Sequence, residues 1–394
     1  MRSLFRSLPR LRLLSVVRSS VRDIPEEEWL SSVACIGHSW VEAPRLQVLD
    51  LSRAWLSWKS TGELLSHLRA LPALREMYLQ GCEVSQTAVE YLMETEVSAE
   101  TPGSPFVQFS RQCEEGSISD AADSLRWAVE ASERPVVPLC VLNLHECHLQ
   151  DDALETLSEG LELHPSLTNL DITNNQFTSE GLRRFCTSLG RNASLRRVCL
   201  GAQHSLQSEE RQICEALCRN QSLEHVTLEA VACQSTLEQV TGQSGWLHIL
   251  EFNRLQSLGL RGCQLSSVRF LLSPLCASTC RLTSLDLSEN FLGPSCGPSL
   301  GLLLAENLSL RLLDLSSNKL QDEGVRGLFE SLTTRNRTLT SLSLNHNGLG
   351  EASATALLSC LQSNRKLRSV CMNRNPGISN PLLQGLCQIT FGGP

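Results

Sequence analysis

Leu310-Arg311-Leu312-Leu313-Asp314-Leu315-Ser316-Ser317-Asn318-Lys319-Leu320 is the stretch that decides the fold. Leucines stand at its first, fourth, sixth and eleventh positions and Asn at its ninth. The same frame, L-x-x-L-x-L-x-x-N-x-L, recurs without a mismatch from Leu282 and from Leu339. Weaker copies start at Leu46, Leu74, Leu139, Leu167, Leu195, Leu223, Leu255 and Leu367. From Leu139 onward the starts are separated by 28, 28, 28, 32, 27, 28, 29 and 28 residues. Self-similarity at such a period marks a repeat architecture. Leu11, Leu14, Val16 and Val21 fit a first copy, and Val107 and Phe109 fit a degenerate one starting at Ser104. The expectation is one solenoid over residues 1–394 with 11–13 repeats, residues 85–138 forming a degenerate repeat with an insertion.

The physics of one unit follows from its two periodicities. Alternation at L-x-L predicts a short strand with one buried face. About ten residues later the spacing becomes helical, as in Leu154, Leu157 and Leu161, or Val325, Leu328 and Leu332. Ser179 and Asp322 stand where N-caps are expected. No unit can bury its own apolar faces, so units must stack. Strands pack closer together than helices, so the stack bends into an α/β horseshoe, with parallel strands on the concave face and helices on the convex one. The ninth-position Asn would satisfy backbone groups in the turn that leaves the strand. Cys82, Cys147 and Cys263 replace it in three units, as small buried weak donors. Ala54, Gln203 and Val231 match poorly, and their units should be the looser ones.

This frame resembles the leucine-rich-repeat superfamily, and the 28-residue period is similar to its ribonuclease-inhibitor-like branch. That branch includes the sensor ends of NOD-like receptors and the Ran GTPase-activating proteins. The resemblance implies a scaffold for protein binding. It also implies two rivals: a GTPase-activating protein resembling the Ran regulators, against which the lack of an acidic C-terminal tail counts, and a ribonuclease inhibitor, for which the concave face is too mixed in charge.

Composition narrows the function further. No apolar run approaches the length of a membrane span. The net charge of −8 argues against direct nucleic-acid binding and leaves a protein as the expected partner, met as a monomer or as part of a larger chain. Residues 1–22 depart from this balance with six Arg and no acid. They resemble an organelle transit peptide as an alternative to a repeat. Seventeen cysteines without a secretory signal point to reduced thiols and a cytoplasmic, or alternatively nuclear, address.

No nucleotide-binding loop, zinc-protease helix or nucleophile elbow is present, so no catalytic residue and no cofactor is expected. The ligand-type residues of His145-Glu146-Cys147-His148 point in different directions in the repeat frame, which argues against a metal site. Asn192, Asn220, Asn307 and Asn336 form glycosylation triplets, but all four precede a repeat-starting Leu by three residues and read as part of the turn. Positions three, five, seven and eight should face the concavity. The expected partner-binding residues there are Glu76, Tyr78, His145, Glu146, Arg197, His225, Glu229, Arg261, Glu289, His346 and Arg374.

Overall fold

The computed structural model describes residues 12–15, 45–54, 56–65, 71, 73–93, 138–206, 210–231 and 254–379. The chain divides into two compact units, Met1–Leu170 and Asp171–Pro394. The first unit holds strands β1 (Leu13–Ser15), β2 (Val48–Asp50), β3 (Glu76–Tyr78) and β4 (Val141–Asn143), which pair in parallel in that order. Its helices are α1 (Trp58–Leu65), α2 (Gln86–Met93) and α3 (Asp151–Leu163). Strand β5 (Asn169–Asp171) lies at the boundary. The second unit contains β6 (Arg197–Leu206), β7 (His225–Val231), β8 (Ser257–Arg261), β9 (Ser284–Asp286), β10 (Leu312–Asp314), β11 (Ser341–Ser343) and β12 (Ser369–Cys371). These too are parallel and hydrogen-bonded in chain order. Between them run helices α4 (Ser179–Arg191), α5 (Glu210–Arg219), α6 (Arg269–Cys276), α7 (Gly297–Glu306), α8 (Gln321–Thr334) and α9 (Glu351–Ser363).

All twelve of these strands begin at the third position of the repeat frame. Pairing is in register, with fourth positions opposite one another: Leu14 faces Leu49, and Leu313 faces Leu285 and Leu342. The frame leucines are the core, and Leu310, Leu313, Leu315 and Leu320 are each at most 2% exposed. β3 pairs directly with β4, Glu76 opposite Val141. The degenerate copy expected from Ser104 lies within residues 94–137, outside the described residues.

Two buried side-chain ladders hold consecutive units together. At position nine, Nδ2 of Asn318 donates to the carbonyl of Leu287 one repeat back (3.0 Å) and to that of Leu315 in its own turn (3.0 Å). Its Oδ1 accepts from the N–H of Leu292. Asn290, Asn347 and Asn375 repeat the pattern. The cysteines do the same with one donor: Sγ of Cys82, Cys147 and Cys263 reaches the carbonyls of Leu51, Leu79 and Leu228 at 3.3, 3.1 and 3.5 Å. Two strands run on past the usual length: β6 has 10 residues and β7 has 7, against 3 in most repeats.

The second ladder lies three residues before four of the repeats. Asn220, Asn307, Asn336 and Asn364 are at most 3% exposed and donate to the helix-ending carbonyls of Leu189, Leu275, Leu304 and Leu332. Each accepts from the N–H of the next repeat's first Leu. The sequence triplets at Asn192, Asn220, Asn307 and Asn336 are therefore buried turn residues. In the Leu167 repeat the slot holds His164, which is 2% exposed.

Helix starts depart from expectation. Thr178, not Ser179, caps α4 by accepting from the N–H of Glu180. Asp322 serves the neighbouring helix: it accepts from the N–H of Gly350 at 2.8 Å and from the Ser353 hydroxyl, both at the start of α9. Between α7 and α8 the backbones touch, because a Cβ at Gly297 would lie 2.9 Å from the Gly324 carbonyl, and one at Gly301 2.9 Å from that of Gly327.

Two stability predictions follow from the ladders. Asn318→Ala strands the Leu292 N–H and leaves the Leu287 and Leu315 carbonyls with one side-chain donor each, Nδ2 of Asn290 and of Asn347, at roughly 1–3 kcal/mol for the buried group left unsatisfied. Urea denaturation should show that loss, and a smaller one for Asn318→Cys, which keeps a donor. Burial holds the His164 imidazole below its ordinary 6.5, so the folded chain favours its neutral form. That stability is intact above pH 6.5 and is lost as the pH falls through the folded-state value. Melting temperature should therefore fall less steeply between about pH 7 and 5 in His164→Asn than in the parent.

Candidate functional site

The side chains free of the core are those of positions three, five and seven, because the strands alternate half-buried and buried residues. Position five is largely committed to the backbone. Oδ1 of Asp171, Asp286 and Asp314 accepts from the N–H two residues on, at 3.0, 2.8 and 2.8 Å, and Asp50 and Asn143 do the same in the first unit. The acidic stripe is thus a row of turn-forming residues.

Position eight is a turn position. Arg53, Glu146, Asn174, Ala230, Glu289, Ser317, His346 and Arg374 all have φ between +54° and +59°, and Gly81 and Gly262 occupy the same slot at +74° and +63°. An L-residue in this region carries a steric cost that Gly avoids. Glu146, Glu289, His346 and Arg374 therefore project from left-handed turns at the strand ends and are exposed.

In the first unit the Tyr78 hydroxyl donates to Oε2 of Glu76 at 2.9 Å. Burial, helped by that carboxylate, pushes the phenol up to about 12, so Tyr78 stays protonated and presents its ring. His145 is half-buried one repeat on, its N–H held by Asn143. Sγ of Cys147 points into the core toward the Leu79 carbonyl, while His148 is exposed on a left-handed turn.

In the second unit the structure assembles one cluster across three repeats. The Arg261 guanidinium lies 2.7 Å from Oε1 of Glu289 and 3.9 Å from Oε1 of Glu229. All three side chains are about half exposed, so the pairs contribute at most about 1 kcal/mol to stability. Their main effect is to fix rotamers. Arg197 stands opposite His225 in the β6–β7 register. Burial, then the Arg197 charge, holds His225 below its ordinary value. His346 and Arg374 belong to later repeats and join neither group. Sequence reasoning placed the cluster residues on one face. It missed their pairing, which comes from the β7–β8 register that sets Glu229 opposite Arg261 and from Glu289 one repeat further on.

A family model for the leucine-rich repeat matches residues 164–186, 306–329 and 335–358. Human NACHT, LRR and PYD domains-containing protein 5 is 24% identical over 79% of this chain, which covers 23% of that protein. Ribonuclease inhibitor of Sus scrofa is 26% identical over 85% of this chain and 72% of its own length. Among solved structures, a chain of the yeast Rad7 and Elc1 complex shares the fold at a TM-score of 0.51 and 14% identity, covering 87% of this chain and 74% of that one. The chain spans less than a quarter of the length of that human protein.

The left-handed slot makes a direct prediction. Gly262→Val should destabilise by about 1–2 kcal/mol, since a β-branched residue is poorly accommodated at positive φ. His346→Gly, in the equivalent slot, should be neutral or stabilising. Thermal melts of the two variants check this.

Proposed function

We propose that this chain, built of leucine-rich repeats similar to those of ribonuclease inhibitors, is a non-enzymatic scaffold that binds a protein partner on its strand face. The observation that carries the reading is the Glu229–Arg261–Glu289 cluster. Three exposed charges from consecutive repeats are held in position before any partner arrives, which reduces the entropy lost on association. Mixed charge beside small Ser and Gly side chains suits a folded protein, and Arg and Tyr are the residues that most often anchor such interfaces.

A cytoplasmic setting goes with this reading. Cys82, Cys147 and Cys263 hold their turns as thiol donors, a role that a disulfide sulfur could not fill.

Affinity capture tests the site. Arg197→Glu combined with Arg261→Glu should lower recovery of the partner by at least about 2 kcal/mol in affinity, near the value of an interface hot spot. Melting should shift by no more than about 0.5–1 kcal/mol. Arg183→Glu on α4, where Arg183 pairs with Glu180, should leave capture unchanged. Loss of capture in that variant alone would move the interface to the helices. Accelerated GTP hydrolysis by a small GTPase in the presence of the chain would replace the scaffold reading with the regulator one.

A further inference from the structure

The acidic average of the chain conceals a strongly basic edge. In the second unit, each helix-to-strand turn can be taken from four residues before the repeat's first Leu to one after it. Among the described residues, the seven such turns hold eleven Arg or Lys and two Glu, and all eleven cations are exposed. Both acids are already paired with edge arginines, Glu224 with Arg196 at 3.9 Å and Glu306 with Arg335 at 3.3 Å. The opposite edge carries the acids of the first helical turns, Glu180, Asp322, Glu323 and Glu351. Stacking explains the sorting. Helices of parallel repeats all end on one side, where cations complement the helix dipole, and all begin on the other.

Within this unit the turns lie in line. Adjacent parallel strands are about 4.8 Å apart, so seven turns make a row roughly 30 Å long at the strand side. Arg254, Arg281, Arg311, Arg365, Lys366 and Arg368 extend along it. Among them stands Leu308, between α7 and β10 and 82% exposed, the most exposed large apolar residue described. Leucine gains nothing against a phosphate backbone. No aromatic residue is exposed on this edge among the described residues, so no base-stacking platform is offered. A row of cations around a protruding Leu fits a surface that is anionic at its plane and apolar just beneath.

We propose that the helix-to-strand edge of the second unit is a docking surface for an anionic lipid bilayer, with its arginines on the headgroups and Leu308 entering the acyl boundary. This is peripheral attachment, separate from the strand face. No described helix is long and apolar enough to span a membrane.

The full chain should co-sediment with phosphatidylcholine vesicles containing phosphatidylserine, and not with phosphatidylcholine alone. Raising salt should weaken the association. Each cation near an anionic leaflet contributes about fivefold in partitioning, so the triple variant Arg281→Gln, Arg311→Gln, Arg368→Gln should lose roughly a hundredfold. Leu308→Ser should lose several-fold with an unchanged melting temperature, and Arg326→Gln on the outer face of α8 should stay within twofold. Absence of co-sedimentation overturns the proposal. So does equal binding by the triple variant, which would assign the affinity to the arginines of residues 1–22. Tight binding of duplex RNA without vesicle binding overturns it in favour of a nucleic-acid partner.

Discussion

One buried hydrogen bond organises this molecule: the donation from the ninth residue of a repeat to a main-chain carbonyl of the repeat before it. A strand that turns away after three residues leaves carbonyls in an apolar interior, where an unmet acceptor is expensive. Asn meets two or three of them at once, and Cys meets the interrepeat one. Because the acceptor belongs to the preceding unit, the bond closes the turn and stacks the repeats together. Where that bond is present, the strand ends after three residues in most repeats and the eighth residue is left-handed.

Stacking also sorts charge. A repeat that places a helix end on the same side every 28 residues or so gives each edge one electrostatic character, whatever the total. The −8 of the whole chain is thus a poor guide to any surface, since one edge of the second unit is basic along its length and the other carries the acids that begin α4, α8 and α9. Binding function in such an architecture is decided by the address of a residue within the repeat.

Much of this was legible in the residues. The Leu frame predicted a short strand in each described repeat, and the Asn and Cys at position nine, together with the Asn three residues before several repeats, were read as turn elements. The readings that failed concern groups whose partners lie one repeat away. Asp322 looked like a cap for its own helix and serves the next. The left-handed backbone at position eight was not foreseen, because periodicity carries no information about the sign of φ. The Arg261 cluster needs three non-adjacent residues in register, and the basic edge is seen only once turns are stacked.

The glycine contact between α7 and α8 bears on how such a chain can change over generations. Solenoids lengthen by duplicating whole units, and each unit ordinarily tolerates any neighbour of the same pattern. The repeats starting at Leu282 and Leu310 do not have that freedom. Gly297 and Gly301 on one face Gly324 and Gly327 on the other with backbone against backbone, so an ordinary side chain on either partner forces them apart. The two fit as a pair, and a unit with ordinary side chains at either set of positions could not close against the other.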